Sequence, residues 1–177
     1  MFEIRWMELA DLNKLSKLYR SSKPSTGRAF SSYPFTEWIV NNERLLLVAD
    51  SGTKLLGFIV VRPKGEEASI DLFCYDKRSR AKNLKDALLE HAERFAEAKQ
   101  MSIFLPKGDK LIPFFKKKGY KVYDEIKDLY GKGKDAYLFI KKLERSAKKP
   151  KKKVKKQKEE DDLLKENLKK LDAYLDF

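Results

Sequence analysis

Side chains able to do covalent, metal or redox chemistry are scarce: the chain has 177 residues but one cysteine, Cys74, and one histidine, His91. One thiol cannot close an internal disulfide, and one thiol with one imidazole cannot build a four-ligand zinc site without many carboxylates. Cys74 stands in an apolar run, where a thiol serves as a small hydrophobe rather than a nucleophile. His91, inside ALLEHAERF, reads as a packed or partly exposed helix residue. Basic residues are the plentiful chemical resource. The chain carries 40 Lys and Arg against 27 Asp and Glu, a formal net charge of +13. Nine Lys or Arg fall between Arg145 and Lys158 with no acid among them. Such a run suits salt-dependent contact with nucleic-acid phosphate, or a solvated flexible spacer.

The elements that must position these residues follow from periodicity. Hydrophobic residues make up 42% of the chain, enough for a folded core. Strands are expected at residues 3–6, 44–49, 54–62, 68–75, 101–105, 120–126 and 136–142. Leu12, Leu15, Leu18 and Tyr19 predict a helix over 11–19, and Thr36 caps another containing Trp38, Ile39 and Val40. Residues 21–34, rich in Ser, Pro and Gly, form the loop between them. A long helix over 83–99 presents Leu84, Ala87, Leu88, His91, Ala92 and Phe95 inward. A short helix over 109–118 is stopped by Gly119 in the left-handed conformation. The fold class is α/β, with a largely antiparallel sheet flanked by helices and one βαβ crossover from 68–75 to 101–105.

Three passages, LLGFIVV, DLFCYDKRSRAKNLKDALLEHA and FFKKKGYKVYD, carry a resemblance to the general amine N-acetyltransferase (GNAT) superfamily over residues 1–143. The resemblance implies a mixed sheet, acetyl-CoA as acyl donor and an amine acceptor. By that likeness, the backbone of Phe73, Cys74 and Tyr75 orients the thioester. Arg80, Ala81, Lys82, Asn83, Leu84, Lys85 and Asp86 form the pyrophosphate loop at the start of the long helix. Helix-start amides cradle phosphate, and the family's glycines there permit close approach and positive φ. Here the loop is degenerate: Asn83 replaces a glycine, and Lys85 stands where the family keeps Gly or Ala. Without a bound phosphate, Arg78, Arg80, Lys82 and Lys85 read as a solvated basic turn.

The resemblance also marks what is missing. Polar groups that many members use in proton transfer correspond here to Ile103, Gly108 and Phe115, none of which can donate or accept a proton. Asp71 and Tyr120 remain as candidate catalytic residues, with Asp76 at the strand end. The region 21–34, followed by Phe35 and Trp38, corresponds to the variable acceptor-binding segment. Two functions fit: an acyl-CoA-dependent N-acyltransferase, or a catalytically silent GNAT-fold module acting through its tail.

The tail divides into a charged linker, 144–162, and an amphipathic helix, 163–177. Leu164, Leu168, Leu171 and Leu175 make one helical stripe, which with Tyr174 suits a protein partner or self-association. LKKLDAYLDF loosely resembles the clamp-binding box of replication and repair proteins. No apolar run approaches a membrane span, and MFEIRWMELADL lacks the apolar stretch of a secretory signal. The expectation is a cytoplasmic protein without membrane partners.

Overall fold

Apolar runs separated by turn residues become the strands of one sheet. These are β1 (Glu3–Trp6), β2 (Leu45–Asp50), β3 (Leu55–Lys64), β4 (Glu67–Tyr75), β5 (Gln100–Pro106), β6 (Lys121–Ile126) and β7 (Ala136–Lys142). Their order is β1-β2-β3-β4-β5-β7-β6. All neighbours are antiparallel except β4 and β5, which the βαβ crossover makes parallel. The expected fold class is the one observed. The computed structural model describes residues 1–22 and 44–143. The helix expected after Thr36, the loop expected beyond Ser22 and the whole of 144–177 lie outside the described residues.

Helix α1 (Leu12–Ser22) follows a short 3-10 turn and covers one face of the sheet; α2 (Leu84–Phe95) and α3 (Ile112–Lys117) belong to the other. Leu15, Leu18, Phe58, Leu72 and Cys74 fill the first apolar layer, and Leu88, Leu89, Phe73, Phe115 and Phe139 the second. Coverage on both faces explains why β2 and β3 are nearly continuous apolar runs rather than alternating ones.

Helix α2 differs from its expected form in two ways. It stops at Phe95 because Glu97 takes a left-handed φ of 49°, turning the chain back so that the Lys99 amide can donate to Glu66 O (2.7 Å) and start β5. Leu89 is fully buried, whereas His91 lies half-buried at the edge, its Nδ1 2.8 Å from Ala87 O. Gly119 does take the left-handed conformation expected of it (φ 88°).

Two local features shape the sheet where β4 ends. Val60 pairs with Leu72 and Val61 with Ile70, so Asp71 is an extra residue, a β-bulge. The parallel ladder runs from Glu67 opposite Gln100 to Ile70 opposite Ile103 and stops there. β4 continues on β3 to Tyr75, and β5 continues on β7 to Pro106. The two strands therefore diverge from the bulge onward. Gly57, opposite Tyr75, lets α2 sit tightly over the diverging end: a Cβ there would lie 2.8 Å from Leu88 Cδ1 and 3.0 Å from Cys74 O.

Arg5 ties β1, β2 and the start of α1 together. Its guanidinium donates to Asp11 Oδ2 (2.7 Å) and Oδ1 (2.9 Å) and to Asp50 Oδ2 (2.6 Å). Hydrogen bonds from Arg5 hold both carboxyls below the usual carboxylate range. A carboxyl with a lowered native pKa contributes stability above its unfolded value and loses it as pH falls through the native value. Arg5→Gln should lower stability at neutral pH by about 1–3 kcal/mol and flatten the acid limb of a urea-denaturation pH series. An unchanged limb would refute this role for Arg5.

Candidate functional site

The divergence of β4 from β5 opens a cleft of about 590 Å³. Phe73, Tyr75 and Lys77 line it from the β4 side, and Gly108, Asp109 and Lys110 from the β5–α3 loop. Of the residues expected to orient a thioester, Phe73, Cys74 and Tyr75 all line this cleft.

The chain leaving β4 is shaped by Asp76. Its Oδ1 accepts the Arg78 amide (2.9 Å), its Oδ2 accepts Lys54 Nζ (3.1 Å), and its own amide donates to Leu56 O (2.7 Å). Ser79 Oγ then accepts the Ala81 amide (3.2 Å). Asn83 follows with φ 59°, the left-handed conformation that a glycine would otherwise supply. The first α2 bond runs from the Ala87 amide to Asn83 O (2.9 Å), and the Asn83 side chain does not cap the helix. The amides of Leu84 and Lys85 precede that bond, at the positive end of the helix dipole. Amides so placed suit an anionic ligand. The asparagine reproduces the backbone turn, and its own side chain makes no capping bond to the helix start.

The side chains around this start carry positive charge. Arg80 and Lys82 are exposed, and no ion pair holds either among the described residues. Lys85 turns to two aromatic rings. Its Nζ lies 4.8 Å from the Phe114 ring centre and 5.6 Å from that of Tyr75, a pair of cation–π contacts. Asp86 is drawn elsewhere, bound to Lys118 Nζ at 2.6 Å. That bond, more than any other effect, holds its carboxyl below the usual range.

Other expected residues serve structural ends. Asp71, the bulged residue, accepts from Arg62 Nη2 (3.0 Å), Arg44 Nε (3.2 Å) and Ser69 Oγ (3.2 Å). Tyr120 is 1% exposed and donates to Glu93 Oε1 (3.0 Å), which Lys141 Nζ also reaches (2.9 Å). Burial foremost, then the Glu93 charge, pushes the Tyr120 phenol far above its ordinary value. Neither Asp71 nor Tyr120 lines the cleft. Both were expected near the reacting groups, but their partners hold them in the framework. Phe115 is fully buried in edge-on contact with Phe73 (5.6 Å) and Tyr120 (5.1 Å), and Ile103 is 1% exposed. The Cys74 thiol turns toward α1, sharing a 2.7 Å hydrogen bond with Ser22 Oγ, and burial pushes it up to about 12. It stays protonated and inert at neutral pH.

Sequence reasoning missed Asp109, although it directly follows Gly108, the position where an Asn is common. It also used Tyr75 only for its backbone. Both side chains belong to the cleft wall. Among the described residues, no group of three or more His, Cys, Asp or Glu is placed to hold a metal ion, and no helix is long and apolar enough to cross a membrane.

The comparisons with known proteins identify the class to which this fold belongs. Residues 20–131 match the model of the acetyltransferase (GNAT) domain, and the chain belongs to that family, whose acyl donor is acetyl-CoA. It is similar to the ribosomal-protein-S18-alanine N-acetyltransferase of Escherichia coli (TM-score 0.66, 16% identity, 86% of this chain and 100% of that one). It is also similar to the aminoglycoside 6'-N-acetyltransferase of Enterococcus faecium (0.66, 17%, 82% and 99%). A third neighbour is the PaiA N-acetyltransferase of Thermoplasma acidophilum, solved with coenzyme A (0.60, 22%, 80% and 99%). A search of curated proteins gives no match.

The left-handed Asn83 is directly testable. Asn83→Gly should leave stability nearly unchanged, whereas Asn83→Val should lose about 1–2 kcal/mol in urea denaturation. Equal stability of the two variants would contradict the loop conformation described.

Proposed function

We propose that the protein transfers an acetyl group from acetyl-CoA to an amine, with the pyrophosphate held at the start of α2 and the thioester in the β4–β5 cleft. The observation that carries this reading is the four-pair parallel ladder, which ends beside an uncapped helix start with left-handed Asn83. Bound acetyl-CoA supplies an activated acyl carbon. The backbone of Phe73, Cys74 and Tyr75 orients it, at the stretch where β4 no longer pairs with β5. The amides from Ala81 to Asp86 and the cations of Arg80, Lys82 and Lys85 offset the phosphate charge. Lys85 trades its ring contacts for phosphate at small cost, because exposed cation–π contacts are worth about 0.5–1 kcal/mol. Positioning donor and acceptor together supplies much of the rate enhancement in such a site.

A ligand that binds the native state alone raises its stability, by about 2.7 kcal/mol at 100 times its dissociation constant. Millimolar acetyl-CoA and CoA should therefore raise the melting temperature by several degrees. S-acetylpantetheine, which has the same thioester without phosphates, should do so far less, and Arg80→Glu should shrink the CoA effect. No shift with either CoA ligand would remove the acetyl-CoA reading and leave the interaction-module reading standing.

A further inference from the structure

We infer that, independently of acetyl-CoA, the protein pairs with a second copy of itself through the half of the sheet built from β5, β7 and β6, on the side where α1 covers the other half. Two clusters of buried side chains mark the two faces of the sheet. Met101, Ile103 and Leu105 of β5 and Phe139 of β7 belong to the cluster packed with α2. The cluster packed with α1 draws its strand residues from β2, β3 and β4 alone. Side chains alternate along a strand, so Ser102, Phe104, Leu138 and Ile140 point to the α1 side. Among the described residues, no helix shares a buried cluster with them there.

The strand register gathers these side chains into two adjoining rows. Ser102 stands opposite Ile140, which stands opposite Lys121; Phe104 stands opposite Leu138, which stands opposite Asp124. Phe104, Leu138 and Ile140 are partly exposed, while Met101, Leu105 and Phe139 on the other face are fully buried. The next row limits the patch, because its Ala136 is fully buried. On the outer strand the two rows end in one cation and one carboxylate. Lys121 and Asp124 are exposed, and neither has an ion-pair partner among the described residues. Asp124 Oδ1 accepts only the neighbouring Glu125 amide (2.7 Å).

A bulge sets that charged pair on one face. Residues three apart in a regular strand point to opposite faces. Val122 pairs with Phe139 and Asp124 with Leu138, so Tyr123 is an extra residue that returns Asp124 to the side of Lys121. The result is a surface complementary to itself, as a two-fold interface requires. With the axis lying across the strands between the two rows, Lys121 meets Asp124 of the partner subunit, and Ile140 meets Leu138 of the partner subunit. Two sheet faces pack about 10 Å apart, within the joint reach of a lysine and an aspartate. Opposite charges facing one another favour this register over one that sets like charges together.

Six side chains on three strands make a small contact, to which Tyr123, 74% exposed at the bulge, adds a ring at the sheet edge. Small interfaces are weak, so the dimer has a Kd on the order of 10 μM or higher. The net charge of +13 opposes indiscriminate association, which leaves a specific face as the means of pairing.

Sedimentation velocity of the full chain, from about 1 μM to about 1 mM in about 0.15 M salt, tests this. The parent should move from monomer toward dimer across that range. Lys121→Asp and Asp124→Lys each set like charges against one another, and each should raise Kd at least about tenfold. The double variant, which exchanges the two charges, should return to within about threefold of the parent. The single variants change net charge in opposite directions, so a shared weakening reports on the pair and not on overall charge. Both positions are exposed, and melting temperatures should stay within a few degrees of the parent's. A parent that remains monomeric throughout would overturn the inference and leave this face to a different partner. A dimer indifferent to the single reversals, or a double variant no stronger than the singles, would overturn it as well.

Discussion

The bulge at Asp71 is the constraint on which the rest of the structure depends. An extra residue in β4 turns that strand away from β5 directly after the last parallel pair, Ile70 with Ile103. The ladder bonds forgone beyond that point are each worth about 1 kcal/mol net. The bulge is held against that loss by Arg62, Arg44 and Ser69, all within 3.2 Å of the Asp71 carboxylate. Hydrogen bonds involving charged groups contribute about 1.5–3 kcal/mol each. The framework thus stabilises a gap in its own sheet, and Tyr75 and Asp109 end up on opposite walls of it.

Electrostatics at the start of α2 complete the picture. The family's glycines serve by their backbone freedom, and Asn83 reproduces that freedom at φ 59°. Lys85 adds a long cation where a small residue is usual, and its charge rests against the rings of Tyr75 and Phe114. Asp86 brings a carboxylate to the same turn, a feature that alone would repel phosphate. Lys118 draws that carboxylate away with a 2.6 Å ion pair. A loop that departs from the family pattern therefore still presents amides and positive charge together.

Much of this was legible in the sequence because it depends on local pattern. β1 and β7 fall on their expected residues, and the other described strands and helices agree to within a few positions at each end. The helix α2 ran short because Glu97 turns left-handed to begin β5, a demand of the crossover and not of local propensity. The bulge was invisible because it is a property of register between two strands. The same limit explains Asp71 and Tyr120. Their chemistry looked available until folding brought up Arg62 and Arg44 for one and Glu93 for the other. Asp109 escaped notice for the opposite reason, since only the folded chain sets it on the cleft wall.

The central claim is that the diverging strands and the uncapped helix start together seat one molecule of acetyl-CoA. Amide-resolved NMR of the full chain titrated with CoA tests it most directly. The largest shift changes should fall on the amides of residues 73–75, 82–86 and 107–111, saturating together with one dissociation constant. Changes confined to residues 145–158, or none in the cleft, would contradict the account.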